Sequence, residues 1–157
     1  LNAGAEIVMI FDTDAKSISN KENYSQYSKY LYEEIIKEFP KQIGYYSKSP
    51  FDNKFFVEDL NSDESYLAGL GVDHHLSMDH WFKEINNGFI QGNFNQESMV
   101  KAHDEFKKDF DLYIDNFQNI NEIDRAGWVC GLGHGILKET PEENVHYFIE
   151  NIRKIFS

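Results

Sequence analysis

Five short apolar runs recur along the sequence, at Ala5–Phe11, Gln42–Ser47, Leu70–Asp73, Phe89–Gly92 and Trp128–Leu132, with longer segments of helical spacing between them. Each run is nearly continuous rather than alternating, which is the pattern of strands covered on both faces. The spacing of Tyr27, Tyr30, Leu31, Ile35 and Ile36 predicts one helix face ending before Pro40, and that of Met99, His103, Phe106, Phe110 and Tyr113 predicts another. Thr140-Pro141-Glu142-Glu143 predicts a helix start, with Thr140 as the cap, Pro141 in the first turn and Glu143 closing a capping box. That helix should turn Val145, Phe148, Ile149 and Ile152 inward. Five such repeats in 157 residues give the length of right-handed βαβ units around a parallel sheet.

Two architectures fit that repeat. A doubly wound sheet of five strands would be complete at this length, whereas a (β/α)8 barrel needs roughly 250 residues and would lack its first units. In both, ligands meet the carboxyl ends of the strands, so the residues that follow each run are the candidates for function.

The charge narrows the partners. With 15 Lys and Arg against 27 Asp and Glu, the chain carries −12 and lacks the basic footprint that phosphate backbones or anionic membranes require. No apolar run approaches the ~20 residues that span a bilayer. The 41% hydrophobic content supplies one core, and the single Cys130 excludes an internal disulfide, which suits a reducing, cytoplasmic setting. Because Leu1 is not an initiator, the chain is expected to be part of a longer protein.

Four strand ends carry chemistry. Asp12-Thr13-Asp14 after the first run has the form of a magnesium-dependent phosphatase of the haloacid dehalogenase type, with Asp73 and Asp79 as further carboxylates. The alternative is a pair of loop carboxylates that satisfy backbone donors. Asp73, His74, His75, Asp79 and His80 form the densest set of metal-ligating types, but residues adjacent on a short helix diverge, and a solvated loop is the other reading. Gln91-Gly92-Asn93 suggests a tight turn. Gly131-Leu132-Gly133-His134-Gly135 surrounds one histidine with three glycines, which frees the backbone for unusual φ and leaves the imidazole open to a carboxylate.

Taken together, these runs resemble a known family. Gly131 to Val145 resembles the carboxyl-terminal signature of uroporphyrinogen decarboxylase, Gln91-Gly92-Asn93 its Gly-Asn turn, and Ala3-Gly4-Ala5 leading to Ile10-Phe11-Asp12-Thr13 its Gly-Ala lead into Phe-Asp-Ser/Thr. Ser47-Lys48 and Gly71-Val72-Asp73 fall between these in the family's order. The resemblance covers essentially the whole chain and the last five of that family's eight barrel units. It implies that residues 1–157 are the carboxyl-terminal portion of a single TIM-barrel domain, cytoplasmic and homodimeric. The implied reaction removes four acetate carboxyls from uroporphyrinogen in porphyrin biosynthesis, without cofactor or metal.

Carried over by position, the resemblance makes Thr13 and His134 substrate contacts and Phe11 a wall of the cleft. The family's arginine-rich loop, pyrrole-facing aspartate and mid-chain tyrosine have no counterparts in these residues, so the fragment alone is expected to be inactive. Asp14, Lys16, Ser49, Asn95, Gln96 and Gly131 depart from the family pattern near the mouth of the barrel. The thiol-activating zinc of the related methyltransferases cannot be built from Cys130 alone. The phosphatase using Asp12 and Asp14 and a non-catalytic half-barrel that only binds remain the competing readings.

Overall fold

The computed structural model describes residues 1–49, 51, 53–118 and 120–156. Its strands are β1 (Val8–Asp12), β2 (Ile43–Ser47), β3 (Gly69–Gly71), β4 (Phe89–Phe94) and β5 (Trp128–Leu132). Its helices are α1 (Lys21–Glu34), α2 (Lys54–Leu60), α3 (Met78–Glu84), α4 (His103–Gln118) and α5 (Glu142–Phe156), one after each strand. β4 runs two residues beyond the expected Gly92, so the Gly-Asn pair lies inside a strand rather than in a turn. Gly92 holds φ 138° there, and a Cβ would collide with the Val72 carbonyl, which reserves the position for glycine.

All four pairings are parallel and join consecutive strands, in the order β1-β2-β3-β4-β5. A doubly wound sheet reverses its strand order at a switch point and carries helices on both faces. Right-handed crossovers in an unbroken sequential order instead place every helix on one face. The sheet is therefore a run of consecutive units from a (β/α)8 barrel, and the doubly wound alternative is set aside. Among the described residues β1 and β5 each pair with a single neighbour.

The two faces of the sheet differ. Ile43, Tyr45, Leu70, Val72 and Ile90 pack outward into a core shared with Leu31, Phe56, Leu60, Ile85 and Phe117 of the helical layer. A second cluster joins Phe94 and Met99 to Phe106, Phe110 and Ile114 of α4 and Phe148 of α5. Each such side chain contributes about 1.5–3 kcal/mol through burial. On the opposite face, register aligns Met9, Gly44, Gly69 and Phe89 in one row. The Phe89 ring fills the space above both glycines, because a Cβ on either would run into it. The next row holds Phe11 beside Tyr46 and Gly71 beside Gln91, with the Tyr46 side chain 2.9 Å from where a Gly71 Cβ would stand.

Three helix expectations are corrected. α1, capped by the Asn20 side chain, buries Tyr24, Ser28 and Leu31, while Tyr30 and Ile35 are exposed, because Tyr24 packs against Phe51 and donates to Asn53 on the inward side. Met99 precedes α4 in a 3-10 turn. At the start of α5 the Thr140 hydroxyl is buried without a hydrogen-bond partner among the described residues, so it does not cap the helix, and the Pro141 carbonyl accepts from the Asn144 and Val145 amides. Ile149 is exposed, whereas Val145 and Ile152 pack with buried Phe148 against the second cluster as expected, and Asn144 is buried as well. No helix among the described residues is long and apolar enough to cross a membrane.

Candidate active site

Strand direction decides where side chains can gather: in a parallel sheet all carboxyl ends open on one side, and the loops there converge. A cavity of about 500 Å³ lies at that end on the inner face, lined by Phe11 of β1 and Thr13 just after it, Tyr46 of β2 and Lys48 just after it, Gly71, Gln91, Leu132 at the end of β5, and Gly133 through Gly135 beyond it. Phe11, Thr13 and His134, more than a hundred residues apart in sequence at the extremes, thus line a single cavity. Two larger cavities, about 820 and 590 Å³, are walled by α3 with α4 and by α2 with α3, and contain none of these three residues.

His134 is held from its Nδ1 side. The Tyr46 hydroxyl donates to the Gly133 carbonyl at 2.9 Å and lies 3.1 Å from His134 Nδ1. The rings of Tyr46 and His134 meet edge to face at 6.0 Å, and Phe11 packs on Tyr46 at the same centroid distance. The ring of His74 stands 5.7 Å from that of His134. Burial, followed by the charge of Lys48, lowers the His134 pKa below the usual imidazole value, against a smaller opposing pull from Asp73. These surroundings therefore favour a neutral ring, and a carboxylate brought to it would favour the imidazolium.

The glycines around His134 serve a different purpose from the one their pattern suggested. None of Gly131, Gly133 and Gly135 adopts positive φ. Gly133 is required by close approach, since a Cβ would stand 2.7 Å from the His74 backbone nitrogen. Gly131 leaves ordinary room beside Gln91, and Gly135 faces open space.

The phosphatase constellation does not assemble. Asp12 Oδ1 accepts from the Ala15 amide at 3.0 Å and Oδ2 from the Tyr45 hydroxyl at 2.9 Å. Tyr27, pushed up to about 12 by burial and then by its hydrogen bond to Asp12, occupies the same carboxylate. Asp12 is thus a structural acceptor beneath the β1 end, and Asp14 opens an exposed 3-10 turn. The second ligand set is dispersed as well. Asp73 accepts from the His75 amide at 2.9 Å, while Asp79 pairs with Lys83 at 2.6 Å along α3, which also carries His80. Among the described residues, no three His, Cys, Asp or Glu side chains are grouped to hold a metal ion. Cys130, its thiol pushed up to about 12 by burial, packs beside the second core cluster.

Sequence reasoning passed over Tyr46, Lys48 and Gln91 as site residues. A signal was available: Tyr46 lies directly opposite Phe11 in the β1–β2 register, so an inward Phe11 makes Tyr46 inward too. Of the departures from the family pattern, Asp14 and Lys16 are exposed, whereas Gln96 is buried and its carbonyl oxygen has no hydrogen-bond partner among the described residues.

Comparison with known proteins gives a consistent result. The family model described as uroporphyrinogen decarboxylase (URO-D) matches residues 1–155. Uroporphyrinogen decarboxylase from Trichodesmium erythraeum is 29% identical over 100% of this chain and 43% of its own length. Those from Orientia tsutsugamushi (strain Boryong) and Thermus thermophilus are 27% and 25% identical, over 99% and 98% of this chain and 44% and 42% of their own lengths. The chain thus spans less than half the length of these relatives.

Proposed function

The chain belongs to the uroporphyrinogen decarboxylase family, and from that premise we propose that residues 1–157 supply the last five units of one barrel domain whose complete form converts uroporphyrinogen to coproporphyrinogen. In each round a pyrrole is protonated, the bond to an acetate carboxyl breaks, carbon dioxide leaves, and the electron pair enters the protonated ring. A proton then returns to the exposed carbon and gives a methyl group, and the proton added to the ring leaves to restore the pyrrole. The same reading carries a cytoplasmic homodimer.

The observation that supports it is the meeting of Phe11, Thr13 and His134 in one inner-face cavity at the carboxyl ends of the strands. Thr13 offers a hydroxyl that can donate to a carboxylate. His134 offers a charge-assisted donor once protonated, and Lys48 in the same wall adds a fixed positive charge. Phe11, 62% exposed, presents an apolar ring to a flat macrocycle. Such groups hold a polyanion while leaving its pyrroles to a carboxylate elsewhere in the barrel.

The test is direct. Anaerobic incubation of the full-length protein with uroporphyrinogen III, followed by oxidation and chromatography, should show stepwise loss of carboxyl groups ending at coproporphyrin. Unchanged substrate at stoichiometric enzyme would sink the reading.

A further inference from the structure

We propose that Tyr46 is a positioning residue for His134, fixing the ring as its Nδ1–H tautomer so that Nε2 is the atom offered to a substrate carboxylate. The proposal rests on the functional reading of His134 above, but its central observable does not require substrate.

The available protons decide the tautomer. Gly133 contributes a carbonyl oxygen, which can only accept, so the 2.9 Å contact consumes the single hydroxyl proton of Tyr46. The same hydroxyl oxygen lies 3.1 Å from His134 Nδ1 and has no second proton to give. The remaining arrangement is donation from Nδ1–H to Tyr46, which leaves the lone pair of the neutral ring on Nε2. On protonation Nε2 gains the hydrogen and becomes the donor, while the contact to Tyr46 persists. A carboxylate is thus bound without any need for the ring to flip.

Three further features hold Tyr46 itself in place. It is 6% exposed, its side chain crosses Gly71, and Phe11 packs against its ring. Burial and then the charge of Asp73 push its hydroxyl up to about 12, so it stays protonated across the working range. The groups that act on the charge of His134 are Lys48, His74 and His75, which oppose protonation, and Asp73, which favours it. Tyr46 therefore sets which nitrogen is free, and these neighbours set how readily it takes a proton.

The experiment uses the full-length protein with 15N-labelled histidine, in parent and Tyr46→Phe forms, with His134→Gln to assign the resonances. Above the imidazole titration the parent should show a pyrrole-type shift for Nδ1 of His134 and a pyridine-type shift for Nε2. Tyr46→Phe, which keeps the ring and its packing, should lose that pattern and move the His134 titration midpoint. Its KM for uroporphyrinogen should rise by about 2- to 10-fold, the equivalent of one neutral hydrogen bond, with kcat little changed. An Nε2–H form in the parent, or the same pattern in both proteins, overturns the proposal. So does a changed tautomer with unchanged KM. A parent that shows Nδ1–H but never turns over uroporphyrinogen leaves the tautomer assignment supported and overturns the functional reading instead. The parent measurement alone decides the tautomer if the variant fails to fold.

Discussion

Asn144 Oδ1 stands 2.6 Å from His103 Nδ1, joining the first turn of α5 to the first residue of α4. The amide nitrogen of Asn144 already donates to the carbonyls of Met99 at 2.9 Å and Lys101 at 3.0 Å, so its oxygen accepts and His103 carries a proton on Nδ1. Asn144 is fully buried and ties the last helix to the loop after β4. Asn144→Leu strands two carbonyls and an imidazole donor, and should cost about 2–4 kcal/mol in urea unfolding. A loss under 1 kcal/mol would mean that water replaces the amide.

The inner row makes a paired prediction about glycine. A Cβ at Gly44 meets the far ends of Met9 and Phe89, whereas one at Gly69 meets the backbone carbonyl of Phe89 as well as its ring. Gly44→Ala should cost about 1–3 kcal/mol and be largely rescued by Met9→Ala together with Phe89→Leu; Gly69→Ala should cost at least as much and resist that rescue. Equal rescue of both variants, measured by denaturant titration, would place the obstruction at Gly69 in the side chain alone.

Folding stability should decline in acid partly through His134. Its pKa is lowered in the folded protein, first by burial and then by Lys48. The unfolded chain therefore binds the proton more readily as pH falls below about 6.5, and the equilibrium moves toward it. His134→Gln should flatten the stability–pH curve between pH 7 and the lowered value. In the same window substrate binding should take up a proton, so affinity should rise as pH falls. Calorimetric titrations in buffers of different ionisation enthalpy report that uptake.

Substitutions at the cavity should separate binding from folding. Loss of a charge-assisted hydrogen bond in His134→Ala should reduce kcat/KM by about 10- to 150-fold, and loss of a neutral one in Thr13→Val by about 2- to 12-fold. Far-ultraviolet circular dichroism should be unchanged for both, since neither side chain is buried. Wild-type kinetics in both would remove these residues from the site, and loss of folding in both would make them structural.

Residues 1–157 expressed alone should self-associate. β1 and β5 have open backbone edges among the described residues, and the inner face shows Phe11 at 62% and Val129 at 45% exposure. The charge of −12 slows indiscriminate association without covering that face. Sedimentation at micromolar concentration should show dimers or larger species, and a cooperatively melting monomer would contradict this.

Much of the architecture was legible because it depends on repetition. The five apolar runs mark all five strands, with Trp128–Leu132 matching at both ends. Phe11, Thr13 and His134 were grouped through the family resemblance, and their meeting in one cavity accords with the convergence of carboxyl-end positions in a parallel sheet. What escaped the sequence depends on contacts between distant segments. Whether the Thr140 hydroxyl reaches an amide is decided by how the β5–α5 loop approaches, and it does not reach one. The role of Tyr46 exists only because Gly133 and His134 arrive above it, and no local pattern around residue 46 records that encounter. The burial of Tyr24 in place of Tyr30 follows from packing against Phe51 and a hydrogen bond to Asn53, both beyond α1.

The strictly sequential order of the strands also bears on how the chain reaches its native state. Among the described residues every pairing joins strands consecutive in the chain, so none of these four pairings waits for a distant segment to arrive. The loops closed at each step, from the short one that brings Gly69 to Phe89 to the longest that brings Ile90 to Trp128, differ little in entropic cost because that cost grows only with the logarithm of length. Assembly can begin at any adjacent pair and extend in either direction, as a zipper does, with each added unit finding its template already formed.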